Sequence, residues 1–354
     1  MSDAPLSIGV VGLGYWGPNL ARNFTALPST ELRWCCDERA DVRDRFAAQF
    51  REARFTADLA DLLDDPDLDA IVLATPVPTH ADLAIRVLEA GKHCFVEKPL
   101  AQTVADAERA VEAQRRSGKV LMVGHLLQYH PGVNKLKEIA DSGELGDIRY
   151  IYGNRLNLGK LRADENALWS LGAHDVSVLL HLADEEPYEL SARGESYMHE
   201  GVEDVVFGFL RFRSGLAAHL HLSWLDPHKE RRFTIVGSRR MATFDDMDAE
   251  RKITVYDKGF DESAEPYEDF VARSGDIWSP PVPATEPLRL ECEHFVACVR
   301  EGREPISDGR NGLAVVRVLE GLQASLDESR RAAPGPASQT ATMAARAAAT
   351  TSSA

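Results

Sequence analysis

Ile8-Gly9-Val10-Val11-Gly12-Leu13-Gly14-Tyr15-Trp16-Gly17 opens the chain with an apolar run that ends in Gly-x-Gly-x-x-Gly. The run reads as a buried strand. A turn through Gly12 and Gly14 lets the backbone approach a pyrophosphate, and Gly17 lets the following helix pack close to the strand. That helix then presents unpaired N–H groups and the positive end of its dipole to an anion. Glycine turns between strands and helices are common, so the context has to carry the reading. A second apolar run, Leu32 to Cys36, ends in Asp37, where a carboxylate accepts hydrogen bonds from the adenosine ribose hydroxyls. This favours NAD, because a 2′-phosphate would meet like charge; Arg39 keeps NADP open. Asp37 also fits an ordinary helix N-cap in Asp37-Glu38-Arg39-Ala40. The expected cofactor contacts of this region are Gly12, Leu13, Gly14, Tyr15, Trp16, Gly17, Asp37 and Arg39.

Outward from this stretch, short apolar runs alternate with amphipathic ones as far as residue 124: Ser7–Val11, Leu32–Cys36, Ala70–Ala74, His93–Val96 and Val120–Val123 as strands, with helices between them. That is the pattern of a parallel sheet covered on both faces, and right-handed crossovers make it a doubly wound Rossmann domain over residues 1–124. From residue 125 the texture changes to helices at Gly132–Ala140 and Leu171–Leu182 and a long strand near Ile148–Asn157. Strand-like runs joined by tight turns such as Arg213-Ser214-Gly215 then extend to Tyr256. The fold class expected is α/β, with an α+β second domain over residues 125–330 built on a large, mainly antiparallel open sheet. Residues 261–286 read as a loop. Residues 331–354, almost entirely small and polar, are expected to be disordered.

Composition bounds the function. The 354 residues, 44% apolar and 27% charged, suit two globular domains. A net charge of −16 argues against general affinity for nucleic acid or anionic membrane. No apolar run approaches the roughly 18 residues of a membrane span, and Met1-Ser2-Asp3-Ala4-Pro5 lacks signal-peptide character, so the cytoplasm is the expected location. Cys35, Cys36, Cys94, Cys292 and Cys298 have no framework spacing, and the offsets of Cys292, His294 and Cys298 scatter them around a helix; packing, and no metal, is expected.

Two later segments fall where strand ends should line the cofactor cleft: Thr75-Pro76 with His80, and Glu97-Lys98-Pro99. A Glu-Lys pair closing a buried strand puts two charges at a low-dielectric edge, where they need a partner or ligand. Lys98 fits the polarisation of a substrate oxygen or the movement of a proton. A surface turn is the other reading. In the second domain, Trp169-Ser170-Leu171-Gly172-Ala173-His174-Asp175 opens a helix, and His174 has the chemistry of a general base for an alcohol. Arg155, Asn157, Lys160 and Arg162 precede it and suit a diphosphate, with Trp169 able to stack; a solvated mixed-charge loop is the alternative.

The ordered set Gly-x-Gly-x-x-Gly, Asp37, Thr75-Pro76 with His80, Glu97-Lys98-Pro99 and Gly172-x-His174-Asp175 resembles the Gfo/Idh/MocA oxidoreductase family over roughly residues 6–328. The stretches Gly12–Leu20 and Glu165–Asp175 are similar to members that oxidise C3 of nucleotide-linked sugars: UDP-N-acetylglucosamine, its uronic acid or UDP-glucose. The resemblance implies NAD as cofactor and a 3-keto product that an aminotransferase partner can convert to a 3-amino sugar. It also implies a homodimer or homotetramer, with Lys98 and His174 as the catalytic pair and Glu97 and Thr75 at the nicotinamide ribose. Ser170 stands where many members carry an aspartate, which predicts a weaker base at His174 unless Asp175 compensates. Gln128 stands where arginine is frequent, and Val77 replaces a common asparagine. Ser170 and Asp175 join the expected substrate contacts. A dehydrogenase of a free sugar or polyol such as inositol, a non-catalytic dinucleotide sensor and an NAD-dependent glycosidase are the competing readings. Retention of both Lys98 and His174 speaks against the sensor.

Overall fold

The computed structural model describes residues 4–262 and 269–332. In its first part β1 (Leu6–Val11), α1 (Gly17–Ala26), β2 (Thr30–Cys36), α2 (Ala40–Ala47), β3 (Arg54–Thr56), α3 (Ala60–Leu63), β4 (Ala70–Leu73), α4 (His80–Glu89), β5 (His93–Glu97), α5 (Val104–Ser117) and β6 (Leu121–Gly124) alternate. The strands make a six-stranded sheet in the order β3-β2-β1-β4-β5-β6, every pair parallel. β1, β4 and β6 are buried at every residue, which is why their sequences are near-continuously apolar rather than alternating. The strand order reverses between β1 and β4, so a crevice opens at their C-terminal ends, the position where open α/β sheets take ligands.

The second part comprises α6 (Pro131–Asp141), β7 (Ile148–Leu158), α7 (Ala173–Ala183), β8 (Glu189–Glu195), β9 (Val205–Arg211), β10 (Ala217–Ser223), β11 (Leu225–Gly237), β12 (Met241–Asp245), β13 (Ile253–Glu262), β14 (Phe270–Trp278), α8 (Pro287–Glu301) and α9 (Gly309–Ala332). Its eight-stranded sheet runs β14-β13-β12-β11-β7-β10-β9-β8, antiparallel except where β7 meets β10. One face is covered by α6, α7 and α9. In β9, for example, Val206, Gly208 and Leu210 turn inward while Phe207 and Phe209 stay exposed, the alternation expected of a sheet with one covered face.

Several elements depart from the sequence reading. β3 is only three residues long, too short for a periodic signal. β14 occupies part of the segment read as a loop. It is an edge strand whose residues are mostly exposed and which pairs only with β13, so no apolar alternation marks it. β11 reaches back to Leu225 through the polar stretch Asp226–Glu230, with an irregular register against β7. The expected disorder of 331–354 lies, from residue 333 on, outside the described residues, and Arg331 and Ala332 still belong to α9.

The C-terminal helices do not stay with the second sheet, although residues 125–330 read as one unit. α8 returns to the first domain, where Leu288, Cys292 and Phe295 join a core with β1 and α1. Phe295 meets the edges of Phe24 and Phe95 at ring-centre distances of 6.2 and 5.7 Å. α9 straddles both parts, giving Leu313 and Val316 to one core and Val315, Leu319 and Leu322 to the other. Phe295→Ala is therefore expected to cost about 3–5 kcal/mol, the usual penalty for emptying a fully buried aromatic site. Thermal melting with a cofactor-binding readout checks it: both are expected to decline, since this helix supports the sheet that carries the Gly-rich turn.

Candidate active site

Gly12 has a φ of 88°, and a Cβ there would stand 2.6 Å from the Ala74 carbonyl oxygen. A methyl on Gly17 would overlap the Gly12 carbonyl oxygen. Gly14 faces open space, Tyr15 is exposed, and no side chain caps α1. The turn is thus tight on the inside and open on the outside, with a helix N-terminus beside it, and it fits a pyrophosphate. Asp37 is buried at the end of β2 and receives the Leu13 N–H at 2.8 Å, the Arg39 N–H at 3.0 Å and the Arg39 Nε at 3.2 Å. Burial works against its charge, but the bonds from the Arg39 side chain and the two backbone amides outweigh this and hold its pKa below the usual carboxylate range. Asp37 does not cap α2, whose N-terminus has no side-chain cap. Arg39 is largely exposed and free to swing aside, which would release carboxylate lone pairs to ribose hydroxyls.

Thr75 and Pro76 follow β4, with the Thr75 hydroxyl 2.7 Å from that of Thr79. His80, expected among the cofactor contacts, is corrected to a clamp. It is buried, and its two ring nitrogens lie 2.8 Å from the Thr75 and Pro99 carbonyl oxygens, so neither is left for a ligand. It ties the loop after β4 to the loop after β5, and both loops border the crevice. The Lys98–Pro99 peptide bond is cis.

Lys98 follows β5 of the first sheet and His174 stands on α7, which packs against the second, yet His174 lies in the field of Lys98. Burial lowers the pKa of His174 well below its ordinary value, and the charges of Lys98 and Arg155 push it further. Burial also lowers Lys98; Glu97 and Glu165 oppose this, while Arg155 and Arg162 reinforce it. Both shifts favour the uncharged forms, and the Nδ1 of His174 is buried without a hydrogen-bond partner. α7, which presents His174, follows a π-helical turn at Leu168–Gly172 rather than a regular first turn. Gln128, in the frequent arginine position, anchors this helix by donating to the Ser177 carbonyl at 3.3 Å and to Asn311 Oδ1 at 2.9 Å.

Two expected substrate contacts are committed elsewhere. The Arg155 guanidinium donates to the Asp175 carboxylate, and both are buried. The pair engages the Arg155 Nε and one Asp175 oxygen, while Asp175 Oδ1 is buried without a hydrogen-bond partner. Removing one partner of such a buried pair strands a charge. Lys160 and Arg162 remain exposed on the loop after β7, where Arg162 pairs with Glu165 at 3.0 Å. Asn157 and Ser170 are half-buried, and Trp169 packs partly against the second core.

The sequence reading missed His125. It follows β6 just as Lys98 follows β5, is fully buried, and has no hydrogen-bond partner on either ring nitrogen. Burial and the nearby Lys98 push its pKa down to about 3, so it is a neutral neighbour of the pair. Its place at the C-terminal edge of the parallel sheet was the available signal. Among the described residues, no group of three or more His, Cys, Asp or Glu side chains is arranged to hold a metal, and no helix is long and apolar enough to cross a membrane.

Comparison with known proteins bears on the fold and the family. The profile described as "Oxidoreductase family, NAD-binding Rossmann fold" matches residues 6–125, and that described as "GFO/IDH/MocA C-terminal domain" matches residues 133–243. The chain belongs to the Gfo/Idh/MocA family. This Gfo/Idh/MocA protein is an NAD-binding oxidoreductase of the CH–OH class. It is 26% identical to the scyllo-inositol 2-dehydrogenase (NAD(+)) of Bacillus subtilis over 84% of this chain and 87% of that one. It is 28% identical to the UDP-N-acetylglucosamine 3-dehydrogenase of Acidithiobacillus ferrooxidans over 67% of this chain and 73% of that one. The solved structure of GenD2 from gentamicin A biosynthesis in complex with NAD is similar at a TM-score of 0.77 and 25% identity, covering 92% and 95% of the two chains.

Gly17→Ala forces the turn and α1 apart and is expected to weaken NAD binding at least about tenfold, or about 1.4 kcal/mol. Fluorescence titration with NADH measures this, and an unchanged affinity would separate the turn from the cofactor.

Proposed function

We propose that this Gfo/Idh/MocA protein oxidises the C3 hydroxyl of a nucleotide-linked sugar of the UDP-N-acetylglucosamine, UDP-N-acetylglucosamine uronate or UDP-glucose type to a 3-keto sugar, which an aminotransferase then consumes. The reading rests on His174, buried with an unpartnered Nδ1 and lying in the field of Lys98, which together with burial favours its neutral form. NAD, when bound, supplies the hydride acceptor. His174 takes the hydroxyl proton, and Lys98 stabilises the negative charge that grows on the oxygen, so its help is greatest in the transition state. Glu97 and Thr75 border the nicotinamide ribose. Lys160 and Arg162, exposed on the loop whose charges reach Lys98, meet the diphosphate.

Oxidation of a free polyol such as inositol is the second reading. It is favoured by the long match to the scyllo-inositol dehydrogenase and by the withdrawal of Arg155 into its pair with Asp175. Incubation with NAD⁺ and a panel of UDP- and TDP-sugars alongside inositols, followed by absorbance of NADH, separates the two: turnover of a nucleotide sugar alone is expected. Lys98→Met and His174→Ala are expected to abolish turnover with NADH affinity nearly intact, and near-normal activity in both would remove them from the mechanism. Because His174 titrates well below its ordinary value, the base stays unprotonated as pH falls. The acid limb of kcat/KM is therefore expected below pH 6.5, the ordinary value for histidine, and a limb above it would contradict the assignment.

The open face of the eight-stranded sheet supports a homodimer or homotetramer. Tyr152 stacks on His219 at 5.2 Å and Phe207 on His221 at 4.4 Å, with Phe207 and Phe209 exposed beside them. Light scattering is expected to report a dimer or tetramer, and Phe207→Glu with Phe209→Glu a smaller species of unchanged fold; a wild-type monomer would end this reading.

A further inference from the structure

α8 brings one more ionisable group to the rear of the cleft. On β5, Phe95 and Glu97 are two residues apart and share a sheet face; on α8, Glu291 and Phe295 are four apart and share a helix face. The rings of Phe95 and Phe295 meet edge to face at 5.7 Å, which lays the two faces together. Glu291 is wholly buried, and neither of its carboxyl oxygens has a hydrogen-bond partner. Glu97 is buried as well, and its Oε2 accepts only a long bond, 3.3 Å, from the Lys98 N–H. Around the two carboxyls stand Lys98 next to Glu97, Cys292 next to Glu291, and Tyr129, whose hydroxyl lies 2.8 Å from Ser307 Oγ. Arg22 on α1 is engaged by Glu286 at the exposed start of α8. Lys98 is the cation beside Glu97, and Glu291 lies in the field of Glu97 in a low-dielectric interior, where two like charges are costly to hold together.

We propose that Glu97 and Glu291 hold one proton between them, release it when the cationic, oxidised nicotinamide ring is seated at the end of β5, and keep it beneath the neutral, reduced ring. This rests on the reading above, that the ring sits beside Lys98. The balance is simple: the protonated enzyme and NAD⁺ give the NAD⁺ complex and one proton, which passes to solvent, and no electron moves. The ionised pair then holds the oxidised cofactor against its reduced form by charge. Burial raises both pKa values, with Lys98 opposing the rise at Glu97 and the Glu97 charge adding to it at Glu291; Glu97 is pushed up to about 7, where the exchange counts near neutrality.

Calorimetric titration with NAD⁺ and with NADH, in buffers of different ionisation enthalpy and without any sugar, tests the pair. For the wild type, NAD⁺ binding is expected to release up to one proton and to tighten by as much as about tenfold per pH unit below the pKa of the pair, while NADH binding releases none. In Glu291→Gln the release and the pH slope are expected to vanish. Lys98→Met is expected to move the slope to higher pH, since the cation that stabilises the ionised pair is gone. A slope that responds to Lys98→Met but not to Glu291→Gln overturns the pair and leaves the site reading standing. Affinity and slope untouched by both variants place the ring elsewhere, and the site reading falls. A second measurement uses the wild type alone, so it survives any failure of Glu291→Gln to fold. The infrared carbonyl band of a protonated carboxyl is expected at neutral pH and is expected to disappear on NAD⁺ addition, and its absence before addition overturns the proposal.

Discussion

The ammonium of Lys98 sets the electrostatics of the cleft. It stands where a parallel strand ends, half-withdrawn from water, and its field reaches both His125 and His174. A cation in such a place favours neutral imidazoles and negative oxygens, which is the polarity that removal of a proton from an alcohol requires. Glu97 next to it restrains the charge without cancelling it, because burial makes ionisation of that carboxyl costly as well.

Holding that charge at a fixed distance from His174 is a packing problem, since Lys98 follows a strand of the first sheet and His174 stands on a helix packed against the second. α9 solves part of it by giving one stripe of its surface to each core. α8 solves another part by returning to the first domain, where Phe295 locks between Phe24 and Phe95. His80 joins the two loops that flank the crevice, and Gln128 fixes α7 to the start of α9. The buried Arg155–Asp175 pair ties β7 to α7, the helix that carries His174. Each of these contacts joins residues that are far apart in the chain or in different layers.

The first sheet was legible from the sequence because a strand buried on both faces must be apolar throughout, and because glycines in a strand-to-helix turn leave a fixed spacing. The same logic singled out Asp37 and Lys98 at strand ends, while His174 was singled out by the family resemblance. It failed for β3 and β14, whose short or exposed strands leave no periodic trace, and for His80, where a motif position turned out to be a structural clamp. His125 was marked only by its place after β6, and nothing in the local sequence marks Glu291; the significance of both comes from burial without partners.

By itself the sequence determined the parallel sheet, the place of the dinucleotide turn and the residue types available for proton transfer. These follow from local periodicity and from the few conformations that glycine and proline impose. Only the tertiary structure decided which of the charged residues face the cleft and which spend their charge on one another, that α8 returns to the first sheet, and that α9 packs on both. Charge and burial depend on what the rest of the chain brings within a few ångströms, and no spacing along the chain encodes that.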